Sequence, residues 1–542
     1  MGNISGSYTL DSKGQVTSSW KADSATVSSG SFSQEGKNTI VSVGSVRGFD
    51  SVTLTGVAAG AISGANYAET TVLTYKTAKD EVVADSEVVT VSETSASKVT
   101  LAGKKIDGTL QYASADFIAG YKSVTVTDAA VDGDITAGSE DDEYGFNSKT
   151  VTATDNVEST ITTASSRTAV GSATITGTVK PVIPDAEEEE EEEEVELMDV
   201  EDVEDAEEAE AITAASVGGD IKGFSNVTLS KVVLGNGDEV EYVGGNKTVT
   251  TVTDLDEALI SEKTEAASAG KLAISDAIAE EGTEFTVSGF KMVDINFADA
   301  AEFADITGGA LNAEWNYDGD EENPVSGKST FTTAGNTLKL TTVQGSVTGT
   351  ISGFATVTIK DTDIAEDAQI NGWDQKLVKE EGKEMVETYE AKATVTFDNT
   401  IEGEDSATTI AGVIDTAKKV VFTASTADED IDFTVTGEIS ATTVEVKSCE
   451  AVMDLSLFDL ADTNGMFTLN NAEVSLSGLA SVDDAADYFA GFEEATIKGI
   501  GNAVFLCDFE VTDAEMKAAL KNVVTFNGTV TFQGTVAEEA QA

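Results

Sequence analysis

The chain has 542 residues, 40% of them hydrophobic but only 6% aromatic, with 48 Gly and 3 Pro. That length suits several domains or one long repeat array, and the abundance of Thr, Val and Gly favours many short strands over a helical protein. The formal net charge of −66 and the absence of histidine exclude the cationic face of a nucleic-acid binder, the usual hydrolase triads and most zinc sites.

The N-terminus, from Met1 to Gly6, lacks the charged stretch and apolar core of a secretory signal peptide. No segment is apolar for the length of a membrane-spanning helix, so we expect no membrane insertion. The chain is therefore expected to be cytoplasmic, to leave the cell by a route that needs no N-terminal signal, or to be a fragment of a longer chain. The acidity predicts cations, glycans or other surface proteins as partners.

A short motif recurs along the chain. It consists of a glycine, an aromatic residue, two variable residues, and an apolar–polar–apolar triplet. Such alternation is typical of a half-buried strand, and the glycine permits a sharp turn or a close backbone approach. A degraded copy at residues 416–422 completes seven units with a period of about 64–75 residues. The clear copies begin at Gly48, Gly120, Gly223, Gly289, Gly353 and Gly491.

We predict an all-β fold from this repeat. Its form is an elongated, parallel β-helix-like solenoid with short helical insertions, in which each repeat holds two or three rungs stacked on their neighbours. The alternative is a string of small β-sandwich modules, although a period near 70 residues is short for a seven-stranded sandwich. The aromatic residue anchors the core at the entrance of the strand, so we expect Phe49, Phe224 and Phe354 to be buried.

Two kinds of segment interrupt the repeats. Residues 185–210 contain eight consecutive glutamates and no basic residue, which predicts a solvated, disordered insert between an N-terminal β-repeat region, 1–184, and a C-terminal one, 211–542. Residues 254–281 mix Ala, Leu, Ile and Glu in a helical pattern. Residues 512–521 begin with the spacing of a capping box, so both segments are predicted to be helical.

Calcium is the cofactor that this oxygen-rich chain suits best. The best cluster lies at residues 316–323, where Asp318, Asp320 and Glu322 are the candidate ligands, and residues 132–134 and 236–239 form weaker clusters. None of them matches the helix–loop–helix or nonapeptide calcium motifs. Asp, Asn and Gly together also make ordinary turns, which is the alternative interpretation of each cluster.

The sequence offers little for catalysis. It has no phosphate-binding loop or dinucleotide fingerprint, and its only two cysteines, Cys449 and Cys507, are expected to be ordinary buried thiols. Paired carboxylates suffice for a glycosidase, but among 98 acidic residues a chance pair is certain. Carboxylates gathered with a lysine in one groove would favour an enzyme, whereas evenly spread acids would favour a structural role. Trp20, Trp315 and Trp373 could stack on sugars or serve as anchors.

The Thr–Val–Gly strand repeats, scarce Cys and Arg, and low pI resemble the β-strand repeat regions of large bacterial surface proteins and adhesins. The resemblance implies a non-catalytic structural or adhesive protein that binds glycans, surfaces or other proteins. It also implies an extracellular or cell-surface location, reached by a type I or autotransporter route, of which type I fits the missing N-terminal signal. A polysaccharide-acting β-helix enzyme and a calcium-stabilised matrix or layer protein are the alternative functions.

Overall fold

A computed structural model gives the fold, which is nearly all β. It describes the whole chain except residues 1–3, 6–8, 11–15, 19–21, 29–32, 35–36, 39–40, 65, 79–80, 107–108, 139–147, 157–159, 182–213, 255–258, 319–322, 402–405, 426–430, 461–463 and 535–542.

Most strands lie in three ladders of parallel strands, which we name A, B and C. The chain passes through A, then B, then C, and each such circuit adds a strand beside the previous one. Ladder A holds sixteen strands in unbroken succession. They are Ala22–Ser28, Phe49–Thr55, Ala96–Ala102, Tyr121–Thr127, Ser172–Thr176, Asn226–Ser230, Lys271–Ala279, Met292–Phe297, Thr337–Val347, Thr356–Ile364, Thr394–Asn399, Lys419–Ala424, Thr443–Lys447, Met466–Leu476, Thr496–Cys507 and Thr525–Gly528.

Ladders B and C consist of shorter strands. Ladder B contains Val41–Val43, Val57–Ala59, Ala113–Ala115, Ala129–Val131, Ser216–Val217, Val233–Leu234, Thr408–Ile410, Phe433–Val435, Glu450–Met453 and Thr531–Gly534, together with the ends of long ladder A strands. Ladder C contains Ile4–Ser5, Val46–Arg47, Ile62–Ser63, Ile118–Ala119, Ile135–Thr136, Ile221–Lys222, Glu239–Val243, Glu284–Ser288, Glu302–Thr307, Thr350–Ser352, Gln369–Asn371, Val413–Ala417, Ile439–Ala441 and Phe458–Asp459.

Five long strands turn the corner from ladder A to ladder B without ending. Each contains one residue with a positive φ angle, which bends the strand there. These residues are Asp276, Gln344, Asp361, Asn471 and Gly501, with φ between 50° and 68°. The corner residue lets inward-facing side chains on both sides of the bend enter the same core.

Five antiparallel hairpins leave the chain between ladder C and ladder A, and they pair with one another in a ten-stranded sheet, the hairpin sheet. Three further small hairpins stand apart from it: Thr9–Leu10 with Val16–Ser18, Ser33–Gln34 with Lys37–Asn38, and Lys104–Ile106 with Thr109–Gln111. The strands of the hairpin sheet are Asn66–Ala78, Glu81–Thr94, Ser148–Asn156, Thr160–Thr168, Asn246–Asp254, Leu259–Ala267, Ala310–Asp318, Ser326–Thr332, Trp373–Lys379 and Val386–Ala391.

The recurring glycine–aromatic pair forms the direct corner from ladder C to ladder A, in the circuits that send out no hairpin. The aromatic ring turns into the core, as predicted: Phe49 is 8% exposed, Phe224 0% and Phe354 1%. A Cβ atom on Gly308, at the start of a hairpin, would lie 2.9 Å from the Phe354 ring of the next circuit. Corners with a glycine–aromatic pair and corners that send out a hairpin alternate along this part of the chain. This alternation gives the sequence repeat its period of two circuits. The corner glycines have positive φ angles of 81°, 78°, 83°, 77° and 78° at Gly48, Gly120, Gly223, Gly289 and Gly353.

The predicted period of about 64–75 residues is wrong beyond Ala391, because no hairpin follows there among the described residues. Ladder A strands then begin at Thr394, Lys419, Thr443, Met466, Thr496 and Thr525, one for each short circuit. Residues 416–422 thus span a corner and the start of a circuit of their own. Gly491 lies in the 3-10 helix Ala490–Phe492 rather than in a left-handed corner.

The prediction of a helix at residues 254–281 is also wrong. Leu259–Ala267 belongs to the hairpin sheet, and Lys271–Ala279 belongs to ladders A and B. In-register pairing with Asn226–Ser230 on one side and Met292–Phe297 on the other satisfies the backbone of the second strand and overrides helix propensity.

Short helices occupy the C-terminal circuits. The helix Asp513–Leu520 begins with a capping box formed by Thr512 and Glu515, and it buries Met516 and Leu520. The others are the helix Ala485–Tyr488 and the 3-10 helices Leu455–Leu457, Val482–Asp484 and Ala490–Phe492. One continuous apolar core runs inside the ladders from Val43 to Phe532.

Candidate functional site

The predicted calcium cluster lies at the tips of the hairpin sheet. Asp318 is exposed at the end of its strand, and Asp320 and Glu322 lie outside the described residues. Asp318 lines an open cavity of about 780 Å³ whose wall also carries Lys379 and Lys383. These lysines oppose the binding of a divalent cation. In the part of the chain that the structure describes, no three Asp, Glu or Cys side chains are placed to hold a metal ion. The calcium site stays a prediction.

The two weaker clusters are turns between ladders B and C. The Asp134 carboxylate accepts a hydrogen bond from the backbone N–H of Asp220 at 2.9 Å, one circuit further along the chain. Asn236 accepts one from the N–H of Asp238 at 3.0 Å. Burial, followed by the charge of Asp116, raises the pKa of Asp132. These contacts support the interpretation of both clusters as turn chemistry.

Many aspartates hold the circuits together. Their carboxylates accept hydrogen bonds from backbone N–H groups of neighbouring segments, which satisfies donors that the ladders leave unpaired at corners. In the clearest case the Asp361 carboxylate accepts two hydrogen bonds from Thr400, one from its backbone N–H at 2.6 Å and one from its hydroxyl at 2.7 Å. Further pairs, at 2.7–2.8 Å, are Asp128 with Thr178, Asp220 with Glu241, Asp305 with Thr350, Asp363 with Thr409, and Asp432 with Glu450.

Three partly buried aspartates, of which Asp363 was named above, are costly to ionise. Desolvation by burial raises the pKa of Asp299, Asp363 and Asp398 above the ordinary range for aspartate. Backbone N–H donors partly offset the effect at Asp299 and Asp363, as the Lys360 charge does at Asp398. Part of the acidity therefore serves the fold itself, a role that the sequence analysis did not assign.

One lysine is gathered with two carboxylates, the arrangement that would favour an enzyme. Lys222 donates to Asp220 at 2.6 Å and to Glu241 at 2.7 Å, and its side chain is only 11% exposed. Burial acts to lower the pKa of Lys222, but the hydrogen bonds and charges of both carboxylates outweigh it and raise that pKa. The lysine stays protonated, so it cannot act as a general base, and the trio functions as an ion pair on ladder C.

Both cysteines are free and buried, as expected. Burial raises the pKa of Cys449 to about 12 and that of Cys507 to about 11. Because the thiolate is the reactive form, neither thiol is a nucleophile at neutral pH.

A single row of side chains crosses the hairpin sheet close to ladder C, and we name it the root row. Each member is the register partner of the next, so all of them share one face of the sheet. Trp373 lies two residues from the row and Trp315 four residues from it, both on the same face, and Trp20 lies outside the described residues. The root row consists of Arg167, Lys247, Ala266, Leu311, Phe331, Gln375 and Tyr389, and the register continues beyond Arg167 through Lys149, Glu93 and Tyr67.

A cleft of about 240 Å³ separates part of the root row from the corners between ladder C and ladder A. Its sheet side is lined by Arg167, Lys247, Leu311 and Phe331. Its other side consists largely of backbone, because glycines occupy the corners: Gly244, Gly245, Gly289, Gly308 and Gly309. The cleft therefore combines two cations with an apolar floor.

No protein-family model matches this chain, and the comparisons with curated proteins and with solved structures also give no match. Among the described residues, no helix is long and apolar enough to span a membrane.

Proposed function

We propose that this chain is an elongated β-solenoid with a non-catalytic, structural or adhesive role on a bacterial surface or in secreted material. The unbroken pairing of ladder A carries the proposal. Sixteen parallel strands, spaced about 4.8 Å apart, extend over about 70 Å. A coil whose circuits bury their apolar faces on one another is a solenoid. Pairing across every unit boundary weighs against separate β-sandwich modules.

The distribution of charge and exposed surface supports a binding or structural role. Carboxylates are spread along the corners as acceptors of backbone N–H groups, which favours structure over catalysis. The hairpin-sheet strands Leu259–Ala267, Trp373–Lys379 and Val386–Ala391 contain no buried residue. A sheet this open to solvent offers a broad surface for contact with a glycan, a cell surface or another protein.

Duplicating one two-circuit unit, residues 289–352, tests the architecture. In a solenoid the extra unit adds two strand spacings, so small-angle X-ray scattering should show the maximum dimension growing by about 10 Å. An independent module of that size would add roughly 25–30 Å. Deleting the same unit is the matched control and should shorten the particle by the same 10 Å. Growth by a whole module diameter would refute the solenoid.

Antibodies raised against the purified chain test the location. Labelling of intact, unpermeabilised cells of the source organism, or recovery from its medium, is the expected result. Labelling only after permeabilisation would overturn the surface role.

A further inference from the structure

The outer face of ladder A is uniform over five successive strands, from Phe49 to Ser230. Beyond the corner at which each strand begins, side chains alternate between the core and the outside, where they are partly or fully exposed. The outward side chains form three rows across these strands, which together we name the hydroxyl face. All are serine or threonine except Lys98, Ala102 and Asn226, and none is acidic. The rows are Ser51, Lys98, Ser123, Ser172 and Asn226; Thr53, Thr100, Thr125, Thr174 and Thr228; and Thr55, Ala102, Thr127, Thr176 and Ser230.

The lack of acidic residues on the hydroxyl face is unexpected in a chain with 98 acidic residues and a net charge of −66. The same central row does carry charge further along ladder A, at Asp294, Lys339 and Glu445. Asp50 and Lys122 border the face at the corners from ladder C. Acidic side chains keep a protein soluble, so an uncharged face of this size indicates contact with an uncharged partner.

The hydroxyl face is also a regular lattice. Its strands pair without a register shift, and the residues that bend long strands of ladder A all lie beyond it, the first at Asp276. Members of a row are about 4.8 Å apart across the strands, and the rows are about 6.7 Å apart along them, so the face measures about 19 Å by 13 Å. Because the branched threonine side chain has little χ1 freedom, its hydroxyl and methyl groups tend to repeat in one orientation along the row.

We propose that the hydroxyl face binds ice. Rows of water oxygens at the faces of hexagonal ice repeat at distances close to the two spacings of this lattice, so many side chains can contact lattice water molecules at once. A threonine hydroxyl donates and accepts hydrogen bonds, as each water molecule of ice does. Charged groups would order water around themselves and break the lattice. This activity goes beyond the proposed structural or adhesive role and does not depend on it.

Other occupants fit the hydroxyl face less well. Sugar rings pack on aromatic side chains, and this face contains none. The centre of a stable protein interface is rich in large apolar side chains, whereas Ala102 is the only apolar residue here. A charged ligand would meet a single cation, Lys98. The periodic, uncharged array of hydroxyl groups therefore favours ice over a glycan, a protein or an ion.

Slow freezing of a dilute solution of the full chain tests the proposal, because a protein that binds ice enters the growing crystal, whereas other proteins stay in the liquid. We expect the unaltered chain to enter the ice and to lower the freezing point below the melting point. Thr125→Tyr combined with Thr174→Tyr places two large rings in the middle of the hydroxyl face and should abolish both effects. Thr358→Tyr combined with Thr396→Tyr is the matched control and should change neither, because these register partners lie in the same row outside that face.

Three results would overturn the proposal. They are exclusion of the unaltered chain from the ice, equal losses in the two double variants, and binding to microcrystalline cellulose without binding to ice. The last would assign the face to a polysaccharide surface. Circular dichroism and the melting temperature of each variant check that the fold is intact. Ser123→Tyr combined with Ser172→Tyr repeats the test in the neighbouring row if the first pair prevents folding.

Discussion

Two regions of the molecule use the same ladders but fill them differently. In residues 41–234, which we name the aliphatic region, Val, Ile, Leu and Ala fill the core, and Phe49, Tyr121 and Phe224 enter only at corners. In residues 394–534, the aromatic region, phenylalanines occupy the interior of the ladders. Phe397 stacks on Phe422 with centroids 5.4 Å apart and planes 15° apart, and Phe505 stacks on Phe532 at 5.1 Å.

The difference teaches how parallel register propagates core composition. Each residue lies beside its equivalent in the next circuit, as Phe397 lies beside Phe422 and Val99 beside Val124. A large residue in one circuit therefore requires a large residue, or space for one, in the next. The hairpins do not follow this division: two of the five leave the aliphatic region and three leave residues 235–393, where Phe285, Phe297 and Phe303 already fill the core, whereas the described circuits of the aromatic region send out none.

The largest expected effect tests the aromatic core. Phe422→Ala removes a fully buried ring that contacts both Phe397 and Phe433, so we expect a loss of about 5 kcal/mol in local stability. Phe354→Ala is the matched comparison, because its ring is equally buried but has no ring neighbour among the described residues. It should cost about 3–5 kcal/mol.

Hydrogen exchange at buried amides near each site measures the two losses, since a chain of more than 500 residues with so many paired strands need not unfold in one step. An equal or smaller loss at Phe422 would mean that ring stacking adds nothing to the aromatic region. No measurable change at Phe354 would mean that this ring is not in the core.

The next prediction tests the corners. Gly353→Ala would place a Cβ 2.3 Å from the Gly308 carbonyl oxygen at a φ of 78°, so we expect a loss of about 2–4 kcal/mol. Gly335→Ala is the control: its φ of 73° is similar, but nothing lies within 4 Å of the new atom, so about 1 kcal/mol is expected. In the aromatic region Thr416 has a positive φ angle at a corner, although it is not a glycine.

Chemical denaturation of the two glycine variants separates close approach from backbone strain. If both cost the same, the contact between the circuits at Gly308 is unimportant and only the φ angle matters.

The strands and the buried aromatic residues could be predicted because their signals are local. Alternation within Val52, Thr53 and Leu54 is enough to indicate a strand with one buried face. Asn246–Asp254 is likewise rich in Thr and Val, so composition alone could not separate the parallel ladders from the antiparallel hairpin sheet. The root row could not be predicted either, because Arg167 and Tyr389 are brought into one row only by the register of six strand pairings.

A smaller effect concerns pH. Burial raises the pKa of Asp363 in the folded state, so between the ordinary aspartate pKa and the raised one the folded chain binds more protons than the unfolded chain. Stability therefore rises as pH falls through that window, and relief of the −66 net charge acts in the same direction. We expect a higher melting temperature at pH 4, near the ordinary aspartate pKa, than at pH 7, and a smaller difference in Asp363→Asn.

Glu445, in the aromatic region, has the opposite effect on how stability depends on pH. Its hydrogen bond from Lys419, at 2.6 Å, lowers its pKa, so its contribution is present above the ordinary glutamate pKa and is lost as pH falls. Glu445→Gln should therefore make the gain on acidification steeper. If Asp363→Asn and Glu445→Gln change the melting temperature with pH in the same way, long-range charge rather than these local environments governs the pH dependence.

The smallest expected effect concerns the acidic insert of the aliphatic region. Deleting residues 185–210 should change the melting temperature by no more than about 2 °C, because the flanking strands Ser172–Thr176 and Ser216–Val217 keep their register partners. In the preceding circuit the single residue Asp128 connects the ladder A strand Tyr121–Thr127 to the ladder B strand Ala129–Val131. The ladders therefore need no long connection at this corner.

Deleting the middle hairpin, residues 246–267, is the control of similar length and should lower the melting temperature strongly, because Thr160–Thr168 and Ala310–Asp318 each lose a paired strand. Differential scanning calorimetry distinguishes the two deletions. Loss of cooperative unfolding after removal of residues 185–210 would place that segment in the core and contradict its interpretation as a solvated insert. A harmless hairpin deletion would instead mean that this hairpin stabilises the molecule no more than the insert does.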